Sequence, residues 1–259
     1  TKRKVGLILD TIYDLHSHIK DIEELETYLS QGIVPLVNCR SLGEFLDYSS
    51  YINETSYDSS EVLYSIGLHP HDADRILYNF SNKYEDLIRK APIVGEIGMD
   101  SCWTDLDRKT QETSFLYSLG LAKKYNKPVV LHTKGMEREI LEIIQDFDLT
   151  YIVHWYGCSD YQEDYRNLGV YFTIGPAIFS DPDVEKLVSN VDLDKLLLET
   201  DGIEALRWLD EEHFDKRRLR DNLEDVYRKI AEIKALDYEF VKNTIVNTSK
   251  DLIKKYKGV

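Results

Sequence analysis

The sequence predicts an α/β fold, a single-domain (β/α)8 barrel that spans residues 1–259. Short runs rich in β-branched residues alternate with longer amphipathic, charged stretches, which indicates parallel strands joined by crossover helices. Eight such units within 259 residues match the usual size of this barrel. No Gly-x-Gly-x-x-Gly motif follows the first run, which disfavours a doubly wound dinucleotide-binding sheet.

The predicted elements follow the chain in a regular order. The predicted strands are Ile8–Asp14, Ile33–Asn38, Val62–Leu68, Ile93–Ile97, Val129–His132, Tyr151–His154, Val170–Ile174 and Lys195–Glu199. The predicted helices are Asp21–Gln31, Arg108–Tyr125, Met136–Phe147, Asp181–Val188, Leu219–Ile233 and Tyr238–Lys254. No repeat beyond this rhythm and no linker interrupts the chain, so we expect one domain.

Composition and charge exclude several classes of protein. No apolar run approaches the roughly 20 residues of a membrane helix, so we expect no membrane partner. The net charge of −15 argues against nucleic-acid binding through a broad basic surface. Three scattered cysteines, Cys39, Cys102 and Cys158, are typical of reduced thiols. We therefore predict a cytoplasmic location, and nothing in the sequence indicates an obligate protein partner.

Histidines and carboxylates collect at the predicted strand ends. Six of the seven histidines lie at or just after the end of a predicted strand: His16, His18, His69, His71, His132 and His154. Two carboxylate motifs, Gly95–Asp100 and Glu199–Gly202, follow the fourth and eighth strands. In a barrel all these positions face one mouth, where the active sites of this fold are built.

This set of side chains predicts a metal site. In the His-x-His motif after strand one, both imidazoles point to the same side, so both can reach one ion. Imidazole with carboxylate suits Zn²⁺ or Mn²⁺, and Mg²⁺ where carboxylate and water dominate. Glu96 lies between the two histidine groups in sequence and is the natural bridging ligand of two ions. Isolated histidines are more often surface residues than ligands, but four separate motifs at strand ends favour a metal site.

The motifs, in this order, resemble the TatD family of metal-dependent hydrolases in the amidohydrolase superfamily, many of which are described as deoxyribonucleases. The resemblance rests on Asp14–His18, Gly67–His71, Gly95–Asp100, His132–Lys134, His154–Tyr156 and Thr200–Asp201. It implies a distorted TIM barrel and one or two divalent ions (Mg²⁺, Mn²⁺ or Zn²⁺). The resemblance assigns His16, His18, Glu96 and Asp201 to one ion. It assigns Glu96, His132 and His154 to the other.

The resemblance also implies roles for other residues. Asp201 would orient or deprotonate the attacking water, which makes Asp201 and Glu96 the catalytic residues. His71 and Lys134 would bind substrate phosphate, although the family commonly has Arg where this chain has Lys134. Asp14 and Asp100 either orient the ligands or cap loops. His69 either joins the site or packs at its strand end.

The predicted function is hydrolysis of DNA phosphodiester bonds by metal-activated water, with single-stranded DNA as the expected substrate. The alternative is an enzyme of the same superfamily that acts on a small ester, lactone or amide. Such enzymes often bridge two ions with a carboxylated lysine, and Glu96 at that strand end favours the TatD arrangement. A PHP-type phosphoesterase would need more histidines. A non-catalytic barrel is disfavoured because every expected ligand position is intact.

A basic run and four aromatic residues leave two interpretations each. Lys216–Arg220 either contacts the DNA backbone near the mouth or begins a solvated helix, and the second is commoner for charge runs. Trp103, Trp155, Tyr156 and Trp208 either stack on bases at the mouth or pack over the barrel.

Overall fold

Eight parallel strands form one sheet in chain order in the computed structural model, which describes residues 10–54, 62–77 and 81–257. The strands are β1 (Ile12–Ser17), β2 (Ile33–Cys39), β3 (Leu63–Ile66), β4 (Ile93–Gly98), β5 (Val129–His132), β6 (Tyr151–Val153), β7 (Tyr171–Ile174) and β8 (Leu196–Leu198). Each strand pairs in parallel with the next along the chain. The predicted barrel is therefore confirmed.

The two edges of the sheet approach each other, so the barrel is nearly closed. The backbone N–H of Asp201 donates to the carbonyl of His16 at 3.0 Å, which joins the chain after β8 to β1. The strand register is irregular between Asp14 and Ser17, and again between Val94 and Ile97. Such irregularities re-aim side chains, and these two lie at the strands that carry His16 and Glu96.

Ten α-helices occur in the described ranges and surround the sheet. They are α1 (Ile22–Ser30), α2 (Leu42–Glu54), α3 (Ser81–Lys90), α4 (Arg108–Lys124), α5 (Glu137–Ile144), α6 (Gln162–Asn167), α7 (Pro182–Asn190), α8 (Ile203–Leu209), α9 (Leu219–Lys234) and α10 (Tyr238–Lys257). All six predicted helices are present, and α2, α3, α6 and α8 were not predicted. None of the helices in these ranges has both the length and the apolar character that a membrane crossing requires.

The first strand differs from its prediction. It was expected at Ile8–Asp14, but β1 begins at Ile12 and ends at Ser17. Residues 8 and 9 lie outside the described residues. The later end of β1 places His16 within the strand, where both its neighbours are buried.

The core explains why short β-branched runs identified the strands. Val94, Val129, Ile152 and Leu197 are fully buried, because the barrel interior covers one face of each strand and helices cover the other. Each such side chain stabilises the fold by about 1.5–3 kcal/mol. A rigid, apolar barrel of this kind leaves polar side chains at the strand ends, where the site is found.

Candidate metal centre

The structure brings the six predicted metal ligands together in two clusters that share Glu96. In the first cluster, Glu96 Oε2 lies 3.2 Å from His18 Nε2 and 3.7 Å from His16 Nε2. Asp201 Oδ1 completes it, at 3.2 Å from His16 Nε2 and 3.7 Å from His18 Nε2. Two imidazole nitrogens and two carboxylate oxygens therefore face one point.

The second cluster lies on the other oxygen of the same carboxylate. Glu96 Oε1 lies 2.7 Å from His132 Nδ1 and 2.6 Å from His154 Nε2. The two imidazole nitrogens are 3.1 Å apart. Each oxygen of Glu96 thus faces a different cluster, which is the arrangement of a carboxylate that bridges two ions.

The ligand atoms of the first cluster are better placed to bind a divalent cation than to form hydrogen bonds with one another. Among the described residues, the buried atoms His16 Nε2 and Asp201 Oδ1 have no hydrogen-bond partner, although they lie 3.2 Å apart. Buried polar atoms are normally paired, so lone pairs that converge without pairing need an explanation. Imidazole nitrogens with carboxylate oxygens are the ligand set of Zn²⁺ and related ions, which supplies that explanation.

The electrostatics of the clusters favour the metal-binding forms of Glu96 and His16, whereas the carboxylates beside His132 outweigh its burial and raise its pKa to about 9, so that an ion bound there displaces a proton. Burial alone would raise the pKa of Glu96, but the surrounding histidines, His154 foremost, hold this pKa well below its usual value. Burial lowers the pKa of His16, and neighbouring His154 lowers it further. An ionised carboxylate therefore faces a neutral imidazole, as metal binding requires.

Asp100 fixes the orientation of His132. Its Oδ2 accepts from His132 Nε2 at 2.8 Å and from His71 Nε2 at 3.1 Å, in the tautomers that these bonds imply. A proton on His132 Nε2 leaves the Nδ1 lone pair free for an ion. Asp100 Oδ1 also accepts the backbone N–H groups of Cys102 and Trp103. Asp100 thus both orients a histidine and caps its loop.

Asp14 lies behind the first cluster and contacts no predicted ligand side chain through a hydrogen bond in the described chain. It accepts from the backbone N–H of Thr200 at 3.1 Å and from its hydroxyl at 2.5 Å. Burial raises the pKa of Asp14 to about 8. This contact ties β1 to the loop that carries Asp201.

The two predicted substrate residues lie at the rim of the site. The His71 side chain is 31% exposed and is held by Asp100. Lys134 is half-buried, and its Nζ donates to the carbonyl of Trp155 at 2.5 Å. An ammonium group has three N–H donors, so this bond leaves two of them for a substrate.

Two site residues were not assigned from the sequence. Glu199 is buried beside His154, with Oε2 at 3.7 Å from His154 Nδ1, and burial raises the pKa of Glu199 to about 8. His69 Nε2 lies 3.7 Å from Glu96 Oε2, so His69 joins the site. Glu199 lies two residues before Asp201. Side chains two apart in an extended segment point to the same side, so this spacing was the sequence signal that Glu199 belongs to the site.

Two glycines allow the backbone to pack closely behind the ligands. Gly98 has φ +150°, and a Cβ there would lie 2.0 Å from the His132 carbonyl oxygen. Gly202 has φ +94°, and a Cβ there would lie 2.3 Å from the His18 carbonyl oxygen. Any side chain at either position would displace a ligand-bearing segment.

The basic run begins a helix and is paired with carboxylates. Arg217 contacts Asp215 at 2.7 Å, and Arg218 contacts Asp221 at 2.9 Å. Arg220 donates to the carbonyl of Gln31, which precedes β2 at the end of the barrel opposite the mouth. Of the interpretations above, the helix start describes this segment, which is solvated at Arg217 and Arg218 and largely buried at Arg220.

The four aromatic residues divide between the two interpretations. Tyr156 is buried and packs against other aromatic rings. Trp155 is partly buried against the core. Trp103 and Trp208 are 66% and 72% exposed, so only these two present most of their surface to solvent.

Comparisons with known proteins point to one family. A family model described as TatD related DNase matches residues 13–254. A protein named uncharacterized metal-dependent hydrolase MJ1582, from Methanocaldococcus jannaschii, is 30% identical over 254 residues, covering 92% of this chain and 95% of its own. A protein named 3′-5′ ssDNA/RNA exonuclease TatD, from Edwardsiella piscicida, is 29% identical over 145 residues, 52% of this chain and 56% of its own.

Solved structures show the same fold. The crystal structure of the TatD homologue YJJV from Escherichia coli K12 is 21% identical in sequence and superimposes with a TM-score of 0.74. The alignment covers 93% of this chain and 97% of that one. A TatD family hydrolase from Entamoeba histolytica superimposes with a TM-score of 0.75 at 15% identity, over 94% of this chain and 98% of that one.

Proposed function

Because this chain belongs to the TatD family of metal-dependent hydrolases, we propose that it is a nuclease that hydrolyses phosphodiester bonds of single-stranded DNA. The observation that carries the proposal is the shared carboxylate, since each oxygen of Glu96 faces a separate group of histidines. Two ions bridged in this way suit displacement at phosphorus. The relative named as an ssDNA/RNA exonuclease supports the substrate class.

The assignment of ligands follows the two clusters. His16, His18, Glu96 and Asp201 would hold the first ion, and Glu96 with His132 and His154 would hold the second. Bound divalent ions lower the pKa of water and neutralise charge on phosphate oxygens. The donor set accommodates Mg²⁺, Mn²⁺ or Zn²⁺.

The chain's own residues do the remaining work. Burial would raise the pKa of Asp201, but its contacts with His16 lower this pKa, so the carboxylate is ionised and accepts the proton of the attacking water. His71 and the free N–H donors of Lys134 bind the phosphate at the rim. Glu96 and Asp201 contribute two negative charges, and two divalent ions would contribute four positive ones, so the loaded site would attract a phosphodiester although the protein is acidic.

The test is cleavage of 5′-labelled single-stranded DNA with Mg²⁺ or Mn²⁺. We expect a ladder of shortening products, with Asp201→Asn slower by about 10³-fold because it lacks the proton acceptor. Asp225→Asn, an exposed aspartate paired with Arg228, is the matched control and should cut like the wild type.

Two outcomes would contradict this proposal. Equal cleavage by Asp201→Asn would remove the assigned role of Asp201. No cleavage by a metal-loaded wild type would remove DNA as the substrate. Assays on small esters, lactones and amides would then test the alternative on the same barrel.

We propose a cytoplasmic location and a single hydrolase domain for this chain. The cysteines support the location, since Cys39, Cys102 and Cys158 are all free thiols. The continuous eight-stranded sheet supports the single domain.

A further inference from the structure

The residue that follows the metal ligand His154 has an unusual backbone. Trp155 has φ +43°, in the left-handed region that residues other than glycine rarely adopt. Such a conformation persists only where surrounding contacts hold it, and it is enriched at functional sites. The contacts around this one peptide segment are therefore informative.

Two charged side chains hold Trp155 from opposite ends of the residue. Glu199 Oε1 accepts its backbone N–H at 2.9 Å, and Lys134 Nζ donates to its carbonyl at 2.5 Å. Glu199 is itself fixed, because Thr173 Oγ1 donates to its Oε2 at 2.7 Å. Three strand ends, those of β5, β7 and β8, thus supply a clamp on the residue after β6.

The clamp matters because, apart from the contacts of its Nε2 with Glu96 and His132, little else orients the His154 ring. Its Nδ1 is buried and has no hydrogen-bond partner in the described residues, and Glu199 Oε2 lies 3.7 Å from it. The ring stacks on His16 with centroids 4.0 Å apart, which fixes its plane but not its rotation within that plane. The backbone on its C-terminal side then helps to set where Nε2 lies.

We propose that Lys134 and Glu199 are positioning residues, which clamp Trp155 in its left-handed turn and so place His154 Nε2 to hold the second ion. This inference rests on the ligand assignment under the proposed function. The first cluster is carried by β1, by β4 and by the loop after β8. In the described chain Lys134 donates no hydrogen bond to any of these elements, whereas Glu199 lies in that loop, two residues before Asp201. Loss of the Lys134 bond should therefore weaken the binding of one ion and spare the other.

The test is titration of the metal-free protein with Mn²⁺ by calorimetry. We expect two sites in the wild type. Lys134→Met should weaken one site about 10–100-fold, the usual effect of losing a group that orients a ligand, and leave the other site unchanged. Glu199→Met should weaken the same site. Lys134→Arg restores a donor and should recover most of the lost affinity.

Matched controls separate positioning from general damage. Lys195→Met removes another bond from a lysine to a carbonyl, that of Gly169 at 3.0 Å, and should leave both Mn²⁺ affinities unchanged. Glu224→Met removes a largely buried carboxylate far from the clusters and should do the same. Thermal unfolding of each metal-free variant shows whether it is folded, and Glu199→Met tests the clamp if Lys134→Met does not fold.

Three outcomes would overturn the proposal. Unchanged affinities in both Lys134→Met and Glu199→Met would show that the clamp does not position His154. An equal loss at both sites, with a lower melting temperature, would show a general structural role. A wild type that takes up a single ion would overturn the ligand assignment itself, while the DNA cleavage assay reports separately on the nuclease.

Discussion

The two ends of the barrel differ in whether their polar side chains are paired. Beside the start of β1, Arg220 contacts Asp10 at 3.0 Å and Glu224 at 3.2 Å. Lys242 contacts the same two carboxylates, each at 2.9 Å. Two cations and two anions thus neutralise one another. At the mouth, by contrast, His16 and other buried groups have atoms without hydrogen-bond partners in the described chain.

This difference separates groups kept for stability from groups kept for function. A polar network whose members are all paired stabilises and orders the fold. Buried polar atoms without partners cost free energy. Single atoms of this kind occur elsewhere in the described chain, on Ser114, Gln162 and Tyr227, but those at the mouth lie together in one site, where a ligand would complete them. The comparison predicts that changes at the mouth reduce activity and metal binding, whereas changes at the opposite end reduce stability alone.

The largest effect is expected at Glu96. Glu96→Gln keeps the shape of the side chain but removes the negative charge that faces both clusters. The binding of both ions should therefore weaken. Loss of metal-ion catalysis worth several kcal/mol corresponds to a fall in kcat/KM of about 10³-fold. The measurements are steady-state cleavage of labelled DNA and Mn²⁺ calorimetry. A variant that retains full activity and two tight sites would show that Glu96 is not the bridge.

A smaller effect, on stability, is expected at the opposite end. Arg220→Met removes a largely buried cation and leaves Asp10 and Glu224 to share Lys242. We expect the free energy of unfolding in urea to fall by about 2 kcal/mol, since breaking a buried ion pair leaves a charge without compensation. Specific activity under native conditions should be unchanged. A fall in kcat/KM without a fall in stability would contradict the division between the two ends.

Several elements predicted from the sequence have a strong local signal. The strand Val129–His132 was predicted to the residue, because a fully buried strand is a continuous apolar run. Helices α6 and α8 were missed because six and seven residues are too few to show a helical period. β1 was placed too early because a register irregularity within it does not appear in the residue pattern.

The site shows the same limit. The six candidate ligands could be grouped from the sequence because a barrel brings all strand ends to one mouth. The proposed role of Glu199 could not be identified from the sequence, because it depends on the backbone of Trp155, which follows another strand. The basic run also needed the structure, because only tertiary contacts show which end of the barrel it approaches.

The smallest effect is expected for the basic run. Arg217→Glu with Arg218→Glu changes the net charge from −15 to −19, since each substitution subtracts two charges. Both arginines are exposed and already paired with Asp215 and Asp221, and exposed ion pairs contribute about 0–1 kcal/mol. Affinity for labelled single-stranded DNA, measured by anisotropy at low salt, should therefore fall by no more than about fivefold. A fall of a hundredfold would place this segment on the path of the DNA, and phosphate contacts would then extend beyond the mouth.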